Sequence, residues 1–130
     1  MSTEWKVLYY ETSSGKSPIF EFIQSFEMKT RAKITSTIDL LIEHGINLGL
    51  PYSKKLIGSD LWEIRILGTN NIRIFYVAII NKQFLLLHGF KKKKQKTDKR
   101  EIDLAEKRLD EYLSRRWELK YHNIVILYIY

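Results

Sequence analysis

The residues best suited to chemistry are basic, and they are concentrated late in the chain. The stretch Lys91–Arg100 contains six lysines, one arginine and a single aspartate, a net +6 out of a chain total of +7 over 130 residues. A cationic segment on an otherwise near-neutral protein predicts a polyanionic partner, for which RNA is the first candidate. The same run is also typical of a solvated surface loop, and charge alone does not choose between the two.

Arginines precede this run on segments with the composition of strands. The predicted strands are Leu61–Leu67, Ile72–Ile80 and Gln83–Phe90. Pairing Ile66 with Ile72 across a turn at 68–71 collects the apolar side chains on one face of a hairpin. That register places Arg65 directly opposite Arg73 on the other face.

The same register extends through a two-residue turn at Asn81-Lys82. It predicts three further pairs, namely Ile79 with Phe84, Phe75 with His88, and Arg73 with Phe90. One face at one end of the sheet would therefore carry Arg65, Arg73, His88 and Phe90. Opposed like charges repel across a sheet, so a phosphate between two guanidinium groups is the favoured interpretation.

Each of these residues also has a structural interpretation. Glu63 or another carboxylate could neutralise the arginines, or both could extend into solvent. Phe90 is a candidate for stacking on a base, as single-stranded nucleic acid often requires, whereas an isolated Phe is more often a core residue. His88 is a candidate RNA contact, with core packing as the alternative.

The remaining elements position this face. A strand is predicted at Trp5–Thr12, and Ser17-Pro18 begins a helix with Ser17 as its cap. A second helix ends near His44-Gly45 and has an apolar face at Ile34, Ile38, Leu41 and Ile42. A loop follows at Gly49–Gly58. The last helix spans Asp98–Arg115, and its apolar stripe consists of Ile102, Ala105, Leu109 and Tyr112. Helical carboxylates such as Glu106, Asp110 and Glu111, paired with Lys107 and Arg108, are interpreted as residues of its solvated face. The prediction is an α+β domain with an antiparallel-dominated sheet of about four strands, two N-terminal helices and a C-terminal helix.

Composition restricts the function classes. The chain has no cysteine, and its three histidines are too scattered to predict a metal site. Neither a signal pattern nor a membrane-spanning run is present, which predicts a cytoplasmic protein without a membrane partner. Glycine-rich nucleotide loops are absent, and no cofactor is predicted. The domain is expected to span residues 1–115, and residues 116–130 form an apolar extension with high strand propensity.

An ordered series of motifs resembles the RelE/HigB-type toxins of type II toxin–antitoxin systems, and more closely their phage-derived HigB branch. The series is Leu61-Trp62-Glu63-Ile64-Arg65, Arg73-Ile74-Phe75-Tyr76, Leu87-His88-Gly89-Phe90-Lys91-Lys92-Lys93 and Gln95-Lys96-Thr97. The resemblance covers residues 5–113. It implies a RelE-like fold, cleavage of mRNA by a metal-independent endoribonuclease, usually on the ribosome, and inhibition by a helix-turn-helix antitoxin similar to HigA.

The resemblance also implies roles for individual residues. Arg65 and Arg73 match phosphate-binding and transition-state-stabilising positions, and Lys92 or Lys93 matches the basic position after the last strand. The expected RNA-backbone contacts are Lys54, Lys55, Lys91, Lys94 and Lys96. Where some relatives carry a tyrosine or a histidine cluster, this sequence reads Gln95–Asp98. The alternative function is therefore a non-catalytic nucleic-acid-binding module, or an inactive toxin relic that binds its antitoxin.

Overall fold

The computed structural model of the chain describes residues 4–69 and 71–116. The predicted extension 116–130 lies outside these residues apart from Arg116. Within the described ranges, no helix combines the length and the apolar character needed to cross a membrane.

Of the three described helices, the first and the last begin where capping signals predict, and the middle one begins without a side-chain cap. Helix α1 (Pro18–Gln24) starts with proline in its first turn, and the Ser17 hydroxyl accepts a hydrogen bond from the Phe20 amide at 3.3 Å. Helix α2 (Met28–His44) ends at Gly45, whose φ of +59° favours glycine; a 3₁₀ turn follows at Gly45–Asn47. Helix α3 (Lys99–Arg115) is capped by Asp98, which accepts from the Arg100 amide at 2.9 Å.

The described sheet has five strands rather than the predicted four. The strands are β1 (Lys6–Tyr9), β2 (Ser53–Lys55), β3 (Trp62–Ile66), β4 (Ile72–Ile79) and β5 (Gln83–Lys91), in the spatial order β1-β5-β4-β3-β2. Strand β2 lies inside the segment predicted as a loop, because three residues reading Ser-Lys-Lys carry no apolar alternation that would reveal a strand. Strand β1 runs parallel to β5, so the sheet is mixed.

The predicted register is confirmed for β3 and β4, where Ile66 pairs with Ile72 and Arg65 with Arg73. The predicted register is also confirmed at the end of β4 and β5 that carries Arg73, where Phe75 pairs with His88 and Arg73 with Phe90. The predicted pair Ile79–Phe84 is wrong, since Ile79 pairs with Gln83 across a loop of three residues, 80–82. A β-bulge lies at Phe75/Tyr76, and Leu87 is the extra residue of β5. Beyond the bulge, from the Phe75–His88 pair onward, the pairs follow the predicted register.

The two faces of the sheet are covered differently. The face carrying Ile64, Ile66, Ile72 and Ile74, each at most 2% exposed, packs on α1 and α2. Gly89 lies on this face opposite Ile74, and a Cβ there would collide with Phe22 of α1. The other face receives the apolar stripe of α3, as the sequence predicts: Ala105, Leu109 and Tyr112 are buried. The arginine pair lies on this second face.

Candidate nucleic-acid interface

The arginine pair is held together by a buried carboxylate. Glu63 lies on the same strand face as Arg65, two residues earlier, and is 2% exposed. Its Oε1 atom accepts a hydrogen bond from Arg65 Nε at 3.1 Å and lies 3.5 Å from Arg73 Nε. The neutralising carboxylate that the sequence offered as an alternative is therefore present. Two cations and one anion leave this trio with a net charge of +1.

Arg73 retains unused hydrogen-bonding capacity. Its Nε atom is buried and has no hydrogen-bond partner among the described residues, despite the ion pair with Glu63. Its Nη1 atom donates a long bond of 3.3 Å to the Ile72 carbonyl. Burial lowers the pKa of Arg73, Arg65 lowers it further, and Glu63 opposes both effects. A buried, incompletely paired guanidinium group is suited to receiving an anion.

Strand β2 brings one of the two predicted loop lysines to the arginine face. Lys54 pairs with Glu63 across the sheet, and directly opposed residues share a face. Lys55 pairs with Trp62, and its Nζ donates to the Ser59 carbonyl in an open pocket that is also lined by residues of α3. Three neighbouring strands thus contribute Lys54, Arg65 and Arg73 to one face, and these three residues are called the basic row; Lys54 lies beside Glu63 and diagonal to Arg65.

His88 and Phe90 form a packed layer beside this row. Their rings stack with centroids 5.6 Å apart and planes 16° apart, and Phe90 also contacts the Phe75 ring at 4.9 Å. Phe90 is 6% exposed. His88 covers one face of the Phe90 ring, which leaves little of that ring for a base.

His88 is held as a neutral imidazole by two residues of α3. Arg108 Nη1 lies 3.3 Å from Nδ1, and because arginine can only donate, Nδ1 is the acceptor. Nε2 therefore carries the proton and donates to Glu101 Oε1 at 3.0 Å. Burial lowers the pKa of His88 and Arg108 adds to this, while Glu101 raises it. Both ring nitrogens are engaged, so His88 ties α3 to β5.

Arg108 was expected on the solvated face of its helix, and this expectation is wrong. Arg108 Nη1 donates to the Leu87 carbonyl at 2.8 Å, and its guanidinium group lies 5.7 Å from the centre of the Tyr10 ring. The burial that accompanies these contacts lowers the pKa of Arg108. Its position next to Leu109 at the border of the apolar stripe was the available signal in the sequence.

The lysine run lines an open cleft of about 180 Å³ at the end of β5. The cleft is lined by Phe90, Lys91, Lys92, Lys93, Lys94, Lys96, Asp98, Arg100 and Glu101. Lys93, Lys94 and Lys96 are exposed, whereas Lys92 is half-buried and its backbone amide donates to the Asn71 carbonyl at 2.8 Å. Lys91 Nζ lies 5.3 Å from the centre of the Phe26 ring, on the side of the sheet occupied by α1. The run therefore divides between both sides of the strand end.

Metal ligands are not grouped in this part of the molecule. Across residues 4–69 and 71–116, no set of three or more histidine and carboxylate side chains is placed to hold a metal ion.

Residues 21–110 match the family model described as phage derived protein Gp49-like (DUF891). The matched span is well over half of the chain and contains every residue of the basic row and of the lysine run. A comparison with curated proteins gives no match.

Proposed function

Because the chain belongs to the Gp49-like family of phage-derived proteins, a RelE/HigB-type toxin family of toxin–antitoxin systems, we propose that it is a HigB-like toxin that cleaves messenger RNA. The activity is that of an endoribonuclease acting on mRNA bound to the ribosome. The inhibiting partner is a helix-turn-helix antitoxin similar to HigA.

The observation that carries this proposal is the cross-strand pair of Arg65 and Arg73 on a face that also presents Lys54. Three basic side chains on adjacent strands form an extended positive surface that can contact the phosphates of an RNA backbone. The lysine run at the end of β5 extends the same positive surface. Phosphate contacts of this kind supply affinity without sequence preference.

The chemistry requires little from the protein beyond positioning and charge. The 2′-hydroxyl oxygen of RNA attacks the adjacent phosphorus, the bond from phosphorus to the 5′-oxygen breaks, and a 2′,3′-cyclic phosphate and a 5′-hydroxyl result. Arg65 and Arg73 stabilise the negative charge that builds on the phosphorane oxygens, a role for which a planar guanidinium fork is better suited than an ammonium group. Lys92 or Lys93 supplies the neighbouring basic group, and Lys94 and Lys96 contact the backbone beyond the scissile phosphate.

In this proposal His88 stabilises the fold next to the RNA site and does not transfer a proton. Its two nitrogens bond Arg108 and Glu101, so it fixes α3 against the strand that ends in the lysine run. The stacked Phe90 completes the wall of the cleft.

The direct test is to express the protein in bacteria and map the 5′ ends of cellular mRNA. We expect growth arrest and new mRNA ends within translated regions for the wild type, and neither for Arg65→Ala/Arg73→Ala. A matched control is Lys16→Ala/Lys107→Ala, which removes two positive charges from exposed positions outside the basic row. If wild type and the double arginine variant leave growth and mRNA equally unaffected, the proposal fails.

The second candidate is an RNA-binding module that does not cleave. Its support is the ion pairing of both arginines with Glu63, together with the Gln95–Asp98 stretch in place of a tyrosine or histidine cluster. This candidate predicts RNA binding that weakens steeply with salt, and no cleavage products even on translating ribosomes.

A further inference from the structure

Glu63 is a buried carboxylate in the middle of a site whose proposed ligand is itself an anion. We propose that Glu63 is a positioning residue that holds Arg65 and Arg73 by their Nε edges, so that both guanidinium groups bind one RNA phosphate with their terminal nitrogens. This inference rests on the proposed function, because the phosphate in question is that of the RNA.

The geometry indicates a shared anchor. A single oxygen, Glu63 Oε1, accepts a hydrogen bond from Arg65 Nε at 3.1 Å and forms an ion pair, without a hydrogen bond, with Arg73 Nε at 3.5 Å. A guanidinium group that presents its Nε edge to a carboxylate keeps the edge formed by its two terminal nitrogens for another partner. In Arg73 one N–H of Nη1 already donates a long bond of 3.3 Å to the Ile72 carbonyl, and the remaining terminal N–H groups are available to an anion. Directly opposed residues of an antiparallel pair have Cα atoms only about 4.5–5.5 Å apart, so the two free edges are close enough to share one anion.

Burial makes the anchor rigid. Glu63 is 2% exposed, and the side chains of Arg65 and Arg73 are 28% and 15% exposed. A carboxylate this deep is retained only where its charge is paired, and each arginine is in turn held by it. Without the carboxylate, two cations in directly opposed positions would repel and separate.

The charge balance suits a phosphodiester. The trio carries +1 before RNA binds, and each backbone phosphate carries −1. The trio and one phosphate together are therefore neutral, which limits the cost of taking these charges out of water. Lys54, opposite Glu63, adds an exposed positive charge beside them. Two arginines alone would leave an uncompensated positive charge in the same place.

Positioning and simple neutralisation predict opposite effects of Glu63→Gln. If Glu63 only reduces the charge of the site, its removal adds +1, tightens RNA binding and leaves the cleavage rate at saturation unchanged or higher. If it positions the arginines, the rate at saturation falls although electrostatic attraction has increased. The two quantities, rate and affinity, must therefore be measured separately.

The experiment compares wild type, Glu63→Gln, Glu63→Asp and the control Glu106→Gln. Glu106 contacts Ser59 rather than the arginines, and its replacement changes the net charge equally. Single-turnover cleavage is measured at saturating ribosome-bound mRNA, and affinity is measured with an RNA carrying a 2′-deoxy nucleotide at the cleavage site. We expect Glu63→Gln to lower the saturating rate at least about tenfold with unchanged or tighter binding, Glu63→Asp to be intermediate, and Glu106→Gln to match wild type. A folded Glu63→Gln protein that cleaves at the wild-type rate, or that loses affinity alone, overturns the inference.

A second measurement is independent of cleavage and of the Gln variant's folding. In ¹⁵N-labelled wild type, the Nε–H signals of Arg65 and Arg73 are followed during titration with inorganic phosphate. We expect both signals to shift along one binding curve in wild type and along different curves in Glu63→Asp, which keeps the charge but shortens the side chain. Signals that do not respond, or that follow separate curves in wild type, overturn the inference. A wild type that shows the joint response but never cleaves RNA refutes the proposed function and leaves the positioning role supported.

Discussion

The arginine pair and the lysine run carry charge of the same sign but are built in different ways. Arg65 and Arg73 lie within strands, are 28% and 15% exposed, and are both ion-paired to Glu63. The chain leaves the sheet after Lys91, the last residue of β5, and the exposed Lys93, Lys94 and Lys96 line an open cleft. The arginine pair holds its guanidinium groups in a fixed orientation, whereas the lysine run concentrates positive charge on side chains whose orientation is not fixed.

This difference separates orientation from attraction. A guanidinium group held at its Nε edge has few remaining orientations, so it can match the geometry of a transition state. Exposed ammonium groups on long side chains act mainly through the field that they create, which is screened by salt. Arginines are therefore expected to control rate, and lysines to control affinity.

Arg73→Lys tests the assignment of cleavage rate to the arginines, and it has the largest expected effect. It keeps the positive charge but removes the planar fork, so we expect the single-turnover rate of mRNA cleavage to fall about 100-fold. The matched change is Arg100→Lys, at an exposed arginine paired with Asp98 beside the lysine run. That variant should cleave within about twofold of wild type, since exposed pairs contribute little. Equal losses in the two variants would contradict the division of roles.

Gly89→Ala tests whether the arginines depend on the sheet beneath them. The new methyl group would collide with the Phe22 ring, so we expect a loss of about 1–3 kcal/mol in the free energy of unfolding, measured with urea. Strand β5 should shift, and cleavage should fall more than RNA affinity does. Adding Phe22→Leu creates space and should recover part of the stability. No recovery would show that the collision is not the cause.

Lys94→Gln/Lys96→Gln tests whether the lysine run controls RNA affinity. RNA affinity should fall about tenfold at low salt, and the slope of log affinity against log salt should decrease by about 1.4, as expected for two lost phosphate contacts on a single strand. The control Lys16→Gln/Lys107→Gln removes exposed lysines elsewhere and should leave the slope unchanged. A larger fall in the saturating rate than in affinity would assign these lysines an orienting role instead.

His88 gives the smallest expected effect, a change in the pH dependence of stability. Burial lowers its pKa below the ordinary 6.5, so the unfolded chain binds more protons than the folded protein just below pH 6.5. Its contribution to stability is complete above pH 6.5 and is lost as the pH falls below that value. In urea unfolding between pH 7 and 5, His88→Gln should lose less stability on acidification than wild type. The control His44→Gln, at a side chain that is 50% exposed, should follow wild type; an unchanged pH profile in His88→Gln would count against this role.

Local signals in the sequence were sufficient for the starts of α1 and α3 and for half of the site. Ser17-Pro18 and Asp98 mark helix starts through capping chemistry that involves neighbouring residues alone. The opposition of Arg65 and Arg73 follows from apolar residues that must share a buried face. Glu63 was a foreseeable neighbour, because residues two apart on a strand point the same way.

The features that were missed depend on distant parts of the chain. Strand β2 forms because it pairs with the edge of β3. Its three polar residues show no alternation from which a strand could be predicted. The parallel direction of β1 is set by the crossover of α1 and α2, whereas alternation along a strand is the same for either direction. Likewise, the contacts of Arg108 and Glu101 with His88 depend on how α3 crosses β5, which no spacing within the helix specifies.

The bulge in β5 has a consequence for how this molecule tolerates change. Leu87 shifts the alternation of the strand by one residue, so the phase at the 80–82 loop is independent of the phase that pairs Arg73 with Phe90. On the hairpin side of the bulge the pairs follow one alignment, and on the arginine side they follow another that is offset by one residue of β5. Without Leu87, β5 would have one continuous alternation, and the facing of His88 and Phe90 would be tied to the register at the hairpin. One unpaired leucine thus lets the arginine end of the sheet and its hairpin end each keep their own register.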